Sequence, residues 1–99
     1  MPVFDCRTVV VSSHAAMRMH ERDISRTEVN HTLREGRVIL SYPNDSPLPS
    51  FMLLAFPAGR PIHLLVGHDE AAHHCAMITV YEPDSSKWSQ DFIHKLPRP

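Results

Sequence analysis

The sequence lacks several features that define common classes of protein. Its 99 residues contain no run of about 18 apolar residues, which excludes an ordinary membrane-spanning helix. Its only two cysteines, Cys6 and Cys75, form no CxxC zinc pattern. We expect them to be buried apolar thiols rather than a disulfide, because the segment Met1 to Asp5 lacks the design of a signal peptide and a cytoplasmic chain rarely forms disulfides. The formal net charge of −1 gives no general attraction to nucleic acid.

Histidine and arginine, by contrast, are abundant. The chain has eight histidines, so its net charge should respond strongly to mild acid. Eight of its ten basic residues are arginine: Arg7, Arg18, Arg22, Arg26, Arg34, Arg37, Arg60 and Arg98. The arginine guanidinium binds phosphate through two parallel hydrogen bonds, although a composition bias of the genome explains the same count.

The hydrophobic pattern predicts two consecutive helices among short strands. A strand over 6–11 is followed by a helix over about 13–23, for which Ser12 and Ser13 are candidate N-caps. A capping box formed by Ser25 and Glu28 starts the second helix, and Gly36 is expected to end it as a left-handed cap. The remaining predicted strands cover 37–42, 51–56, 62–66 and 76–82, with a proline-rich loop over 43–49 and a polar loop over 68–74.

This order predicts an α+β fold in a single domain over 1–99. We expect a β-α-α-β-β-β core over about 6–84, with two helices packed on one face of a mostly antiparallel four-stranded sheet. The tail over 85–99 carries Trp88 and Phe92, which are expected to be packing anchors on this chain or on another. The second face of the sheet is then free for a substrate or a partner.

The alternation of side chains along strands predicts which residues share that free face. Ile62, Leu64 and Val66 should face the helices, as should Ala76, Ile78 and Val80 in the last strand. His63 then lies on the free face, opposite or diagonal to Thr79, with Tyr81 on the same side. On the first helix His14 and Arg18 share one face.

The ordered motifs of the chain are similar to those of a known family. They are Ser13-His14-Ala15, Arg18-Met19, Glu21-Arg22, Tyr42-Pro43, Gly59-Arg60-Pro61-Ile62-His63, Ile78-Thr79-Val80-Tyr81-Glu82-Pro83-Asp84 and Trp88. Over roughly residues 8–92 the chain resembles a bacterial family of small domains of unknown function, grouped with the barnase–EndoU–colicin–RelE class of ribonucleases. The resemblance implies a RelE-like fold and the toxin of a toxin–antitoxin pair, which cleaves mRNA without metal, often on the ribosome. It also implies a small zinc-finger or helix-turn-helix antitoxin as partner.

The residues that match the shared motifs supply candidate site residues for RNA cleavage. We expect His14, Arg18, His63 and Tyr81 to be catalytic, and Arg22, Arg60 and Thr79 to bind RNA or phosphate. Either histidine is a candidate base for the ribose 2′-hydroxyl, and the other histidine or Tyr81 is a candidate acid for the leaving oxygen. Arg18 and Arg60 are candidates to hold the phosphate. Each of these residues also has an ordinary structural role on a helix or strand.

Two alternatives stay open at this point. The segment from His68 to Cys75 combines imidazoles, carboxylates and a thiol, but its spacing favours a polar hairpin loop over a metal site, so we expect no metal or cofactor. RelE-like toxins are usually strongly basic and this chain is not. The near-neutral charge therefore favours a second hypothesis, a non-catalytic protein-binding module on the same fold.

Overall fold

The computed structural model describes residues 5–97, which form two helices and a five-stranded mixed sheet. The elements are β1 (Thr8–Val11), α1 (Ser13–Glu21), α2 (Arg26–Glu35), β2 (Arg37–Tyr42), β3 (Ser50–Ala55), β4 (Ile62–Asp69) and β5 (His74–Tyr81), with a 3-10 turn at Pro57–Gly59. Residues 1–4, on which most of the signal-peptide interpretation rests, and residues 98–99 lie outside the described part. None of the described helices is long and apolar enough to cross a membrane.

The strands lie in the order β1-β5-β4-β3-β2. The α+β prediction is confirmed, but the sheet has five strands and not the expected four, because all five predicted strand segments join it. β1 pairs in parallel with β5, with Thr8 opposite His74 and Val11 opposite Met77, while the other pairs are antiparallel. The first and last strands are therefore neighbours in space although both helices and three strands separate them along the chain.

The helix starts follow local capping chemistry. The Ser12 hydroxyl accepts a hydrogen bond from the backbone N–H of Ala15, and Ser25 and Glu28 form the predicted reciprocal capping box. The end of α2 differs from the prediction, because Gly36 has extended backbone angles (φ −67°, ψ 147°) rather than left-handed ones. A glycine is needed here for space: a Cβ at this position would collide with the carbonyl oxygen of Thr32.

The core lies between the helices and one face of the sheet. Val29 and Leu33 of α2 pack with Ile62, Leu64 and Val66 of β4, as the alternation predicts for β4. In β5 the prediction is only partly correct, because a β-bulge shifts the register. Leu65 pairs with Thr79 and Val66 pairs with Met77, which leaves Ile78 without a partner residue.

The bulge reverses the expected faces in the first half of β5. Cys75 and Met77 are buried in the core, whereas Ile78 is 41% exposed and Ala76 is only partly buried. Beyond the bulge the original alternation holds, so Val80 faces the core. Both strands of this hairpin are also longer than predicted, since β4 continues to Asp69 and β5 begins at His74.

The expectation of two free thiols is wrong, because Cys6 and Cys75 form a disulfide. The parallel pairing of β1 with β5 places Val9 opposite Cys75 and brings the two cysteine Cα atoms to 5.5 Å. The two residues are 69 positions apart, so only the pairing of these strands reveals the proximity.

Candidate functional site

The outer edge of β5 is only partly covered by β1. The β1 ladder reaches residues 74–77 of β5 and stops there, so among the described residues no strand pairs with the outer edge of the segment from Ile78 to Tyr81. Arg22, directly after α1, fills part of this edge. Its Nη1 donates to the carbonyl oxygen of Val80 at 2.8 Å and to Oγ1 of Thr79 at 3.4 Å. The end of α1 thus places a guanidinium beside the last residues of β5.

The β4–β5 register places His63 directly opposite Tyr81. His63 Nδ1 lies 3.2 Å from the Tyr81 hydroxyl oxygen, and His63 Nε2 lies 2.8 Å from the carbonyl oxygen of Phe92. A carbonyl oxygen only accepts hydrogen bonds, so the neutral ring carries its proton on Nε2. Nδ1 therefore accepts a hydrogen bond from the Tyr81 hydroxyl, and the Phe92 carbonyl sets this tautomer.

The C-terminal segment covers His63. It is made of turns, with one bridge between Trp88 and Lys95. The Trp88 ring lies edge-on to the imidazole with the centroids 4.4 Å apart, and His63 has no exposed surface. Burial lowers the pKa of His63 below 6.5, and the hydrogen bond to Phe92 opposes this only in part. The expected free face of the sheet is thus closed around His63, and Tyr81 is the partly exposed member of the pair.

Tyr81 forms the accessible end of this pair. Burial raises the pKa of its phenol above 10, the nearby Tyr42 phenol raises it further, and the Arg22 guanidinium lowers it. The Tyr81 side chain is neutral at pH 7 and remains partly exposed. A hydroxyl that is hydrogen-bonded to a buried imidazole can pass a proton to that imidazole. A neighbouring guanidinium can hold an anionic group beside the hydroxyl.

Arg60, predicted to bind phosphate, is engaged in a structural network. Its Nε donates to Glu82 at 2.6 Å, and its Nη1 donates to Glu28 at 3.2 Å and to the Asp23 carbonyl oxygen at 2.7 Å. Its Nη2 donates to the Arg22 carbonyl oxygen at 3.0 Å. The hydrogen bond to Glu82 raises the pKa of Arg60, while the Ser25 backbone and then Arg60 lower that of Glu28. Arg60 therefore holds the backbone at Arg22 and at Asp23, the next residue.

His14 and Arg18 lie outside this group. His14 is exposed in the first turn of α1, eight residues or about 12 Å along the helix from Arg22. Arg18 forms an ion pair with Glu21 at 2.9 Å on the helix surface. Of the seven predicted site residues, the structure brings together four: Arg22, His63, Thr79 and Tyr81.

The second candidate chemistry, a metal in the β4–β5 hairpin, finds no support in the geometry. Within residues 5–97 no three histidine, cysteine, aspartate or glutamate side chains are grouped to hold an ion. Two of the hairpin histidines instead contact residues near the start of the described chain. His73 Nδ1 lies 2.8 Å from Asp5, and His74 Nδ1 lies 2.7 Å from the Thr8 hydroxyl.

Comparison with known proteins identifies one family. Residues 11–82 match the family described as Domain of unknown function (DUF4258). The chain belongs to this family. No curated protein and no solved structure matches it. The DUF4258 match spans all seven predicted site residues but ends before Trp88 and Phe92, which bury His63.

Sequence reasoning missed the contribution of the segment beyond the DUF4258 match. Trp88 and Phe92 were expected to be packing anchors, and both lie beside the site, but the group that sets the tautomer of His63 is a backbone carbonyl. Every residue has such a carbonyl, so no sequence signal distinguishes it. Tyr42 is not among the predicted site residues, yet its phenol is close enough to raise the pKa of Tyr81.

Proposed function

We propose that the chain is a metal-independent endoribonuclease, in which Tyr81 and Arg22 contact the RNA and His63 accepts a proton through Tyr81. One observation carries this proposal: the hydroxyl of the partly exposed Tyr81 lies 3.2 Å from Nδ1 of the buried His63, and Arg22 is bonded to the two residues before Tyr81. RNA carries its own nucleophile, so the protein needs only a proton acceptor and a cation at the phosphate.

The proposed reaction is a transfer of the phosphoryl group to the neighbouring ribose oxygen. The 2′-hydroxyl gives its proton to the Tyr81 oxygen as Tyr81 gives its own proton to His63 Nδ1. The 2′-oxygen attacks phosphorus, the bond from phosphorus to the 5′-oxygen breaks, and that oxygen takes a proton from water. His63 then returns its extra proton through Tyr81 to the hydroxide that is left, which restores the neutral imidazole. The products are a 2′,3′-cyclic phosphate and a 5′-hydroxyl end.

Arg22 and Thr79 support this step at the phosphate. The Arg22 guanidinium keeps unused N–H donors after its bonds to Val80 and Thr79. We expect these donors to bind the phosphate oxygens as negative charge develops on them. His14 and Arg18 have no step in this mechanism because they lie along the helix away from Tyr81. Arg60 acts on the position of Arg22 and not on the substrate.

The proposal also includes three expectations that the family resemblance implies. They are a RelE-like relationship, a toxin role with a small zinc-finger or helix-turn-helix antitoxin, and a cytoplasmic site of action on mRNA or the ribosome. What supports the toxin role is the arrangement of His63, Thr79 and Tyr81 on one side of the sheet with Arg22 at its edge. The Cys6–Cys75 disulfide, by contrast, is unusual for a cytoplasmic chain and favours an oxidising compartment.

The test is cleavage of a defined single-stranded RNA by the purified chain in the presence of EDTA. We expect Tyr81→Phe to lower the cleavage rate on the order of 100-fold or more, because it removes the proton path and keeps the ring. Arg22→Met should lower it on the order of 100-fold as well. Arg18→Met is the matched control and should cleave like the wild type. The wild-type rate should fall in acid as the pH drops through the pKa of His63, which burial lowers from 6.5, since His63 must be neutral to accept a proton.

Three results would refute this mechanism. Cleavage by Tyr81→Phe at the wild-type rate excludes the proton path, and loss of cleavage in EDTA with recovery in Mg²⁺ excludes a metal-independent reaction. The end groups give a further check, because a 3′-hydroxyl product is incompatible with attack by the 2′-oxygen.

A protein-binding module is the second candidate. The formal net charge of −1 and the exposed apolar residues Val10, Leu40 and Ile78 favour it. It predicts that the chain leaves RNA intact, that Tyr81→Phe changes nothing, and that polar substitution of Val10 or Ile78 abolishes capture of the partner.

A further inference from the structure

A pocket lies on the face of the sheet opposite the helices, and Leu65 of β4 connects it to the strand pair that carries His63 and Tyr81. Its volume is about 560 Å³, and its lining residues are Ser41, Tyr42, Pro43, Asn44, Asp45, Ser50 and Leu65. Leu65 pairs with Thr79 and lies two residues from His63, so it forms the boundary between the pocket and the proposed site. Tyr42 also lies between the two regions, because it lines the pocket and its phenol raises the pKa of Tyr81.

One carboxylate in this pocket is held in a defined orientation. Ser50, which has no exposed surface, donates its hydroxyl to Asp45 Oδ2 at 2.7 Å. The backbone N–H of Ser46 donates to Asp45 Oδ1 at 3.1 Å. Each carboxylate oxygen accepts about two hydrogen bonds, so each keeps capacity for a donor from a ligand. Asp45 therefore presents two pre-oriented acceptors at the pocket.

The other walls suit a flat, partly apolar group. The Tyr42 side chain is 44% exposed, and with Pro43 and Leu65 it provides an aromatic and two aliphatic surfaces. Exposed aromatic side chains stack on unpaired RNA bases, each such contact contributing substantially to binding. A base of the RNA therefore fits the chemistry of this pocket better than the ribose phosphate does.

The charges give the bound RNA a direction. Asp45 repels a phosphate, whereas Arg22, at the edge of β5, attracts one. A nucleotide whose phosphate lies by Arg22 and Tyr81 then has its base on the side of Leu65 and Tyr42. With a formal net charge of −1, the chain has little general attraction for RNA, so contacts to a base have to supply much of the affinity.

We propose that this pocket is a guanine-specific subsite, with Asp45 accepting hydrogen bonds from N1–H and the N2 amino group and Tyr42 stacking on the base. Guanine is the base whose Watson–Crick edge presents two adjacent N–H donors, which match the two carboxylate oxygens. Adenine and cytosine each offer an amino group without a neighbouring ring N–H, and uracil offers one ring N–H. The inference rests on the proposed function for the identity of the ligand as RNA.

The test measures binding of the four ribonucleoside 3′-monophosphates by NMR titration of the intact chain. These probes have no scissile bond, so the measurement is independent of cleavage. We expect guanosine 3′-monophosphate to bind about tenfold more tightly than the others, and Asp45→Asn to remove that preference, because hydrogen bonds to a charged group are lost. Asp69→Asn, which changes a carboxylate outside the pocket, should bind all four like the wild type. Tyr42→Leu should weaken all four.

Several outcomes overturn the proposal. Equal binding of all four nucleotides does so, as does an undiminished guanine preference in Asp45→Asn. Tighter binding of N-acetylarginine amide than of guanosine 3′-monophosphate indicates that the pocket takes an arginine side chain of a protein partner instead. The two proposals fail separately: guanine preference without RNA cleavage removes only the ribonuclease, and cleavage without base preference removes only the subsite.

Discussion

Replacement of Arg60 by methionine tests whether this arginine stabilises the fold or binds RNA. The substitution keeps the aliphatic stem and removes the guanidinium, which donates to two carboxylates and to the carbonyl oxygens of Asp23 and Arg22. The two carbonyl hydrogen bonds contribute about 1 kcal/mol each. The two ion pairs are partly exposed, with 28% of the Arg60 side chain accessible, and contribute at most about 1 kcal/mol each.

These contributions give an expected loss of about 2–4 kcal/mol in the free energy of unfolding. For a chain of this size that corresponds to a melting temperature lower by roughly 10–20 °C. Urea and thermal unfolding followed by circular dichroism measure both quantities. The matched control is Arg18→Met, which loses only the exposed ion pair with Glu21 and should cost at most about 0.5 kcal/mol.

The reasoning is refuted if Arg60→Met is no less stable than Arg18→Met. A second result would also count against it: a variant of wild-type stability that binds RNA more weakly, which would return Arg60 to the role of a phosphate ligand. A folded variant with lower stability and lower cleavage rate is the expected combination, because Arg60 holds the carbonyl oxygen of Arg22.

Three further predictions concern the disulfide, the burial of His63 by Trp88 and the carboxylate of Glu28. Replacing both Cys6 and Cys75 by serine should lower the free energy of unfolding by about 4 kcal/mol, because the disulfide closes a loop of 69 residues; equal urea midpoints for both chains would contradict this. Trp88→Ala should raise the pKa of His63 toward 6.5 by admitting water, and an unchanged NMR titration would show that Trp88 does not cause the burial. The pKa of Glu28 is lowered from 4.5, so its contribution to stability is present above pH 4.5 and lost as the pH falls further; Glu28→Gln should flatten that acid decline in unfolding experiments, and an unaltered slope would contradict it.

Local chemistry in the sequence was enough to predict several elements. The capping box of Ser25 and Glu28 depends on residues three positions apart, and the alternation over 62–66 depends on side chains that point to opposite faces of one strand. The bounds of β2 were also predicted correctly, since its apolar residues follow a helix-ending glycine and precede a proline. These features are decided within a few residues, so no knowledge of the rest of the chain is needed.

The tertiary structure decided the features that depend on residues far apart in the sequence. The bulge at Ile78 arises from the pairing of β4 with β5, and the disulfide requires β1 to lie beside β5. The composition of the candidate site has the same origin. Tyr81 meets His63 through strand register, and Arg22 reaches Thr79 because α1 ends at an uncovered sheet edge.

The clearest contrast is between His63 and Arg60, which the sequence places three residues apart in one motif. The chain itself determined that both residues were present and that His63 would lie on the face opposite the core helices. Only the tertiary structure decided that the C-terminal segment buries His63 and that Glu28 and Glu82 surround Arg60. Burial and ion pairing depend on every element packed around a side chain, and a motif records only its nearest neighbours along the chain.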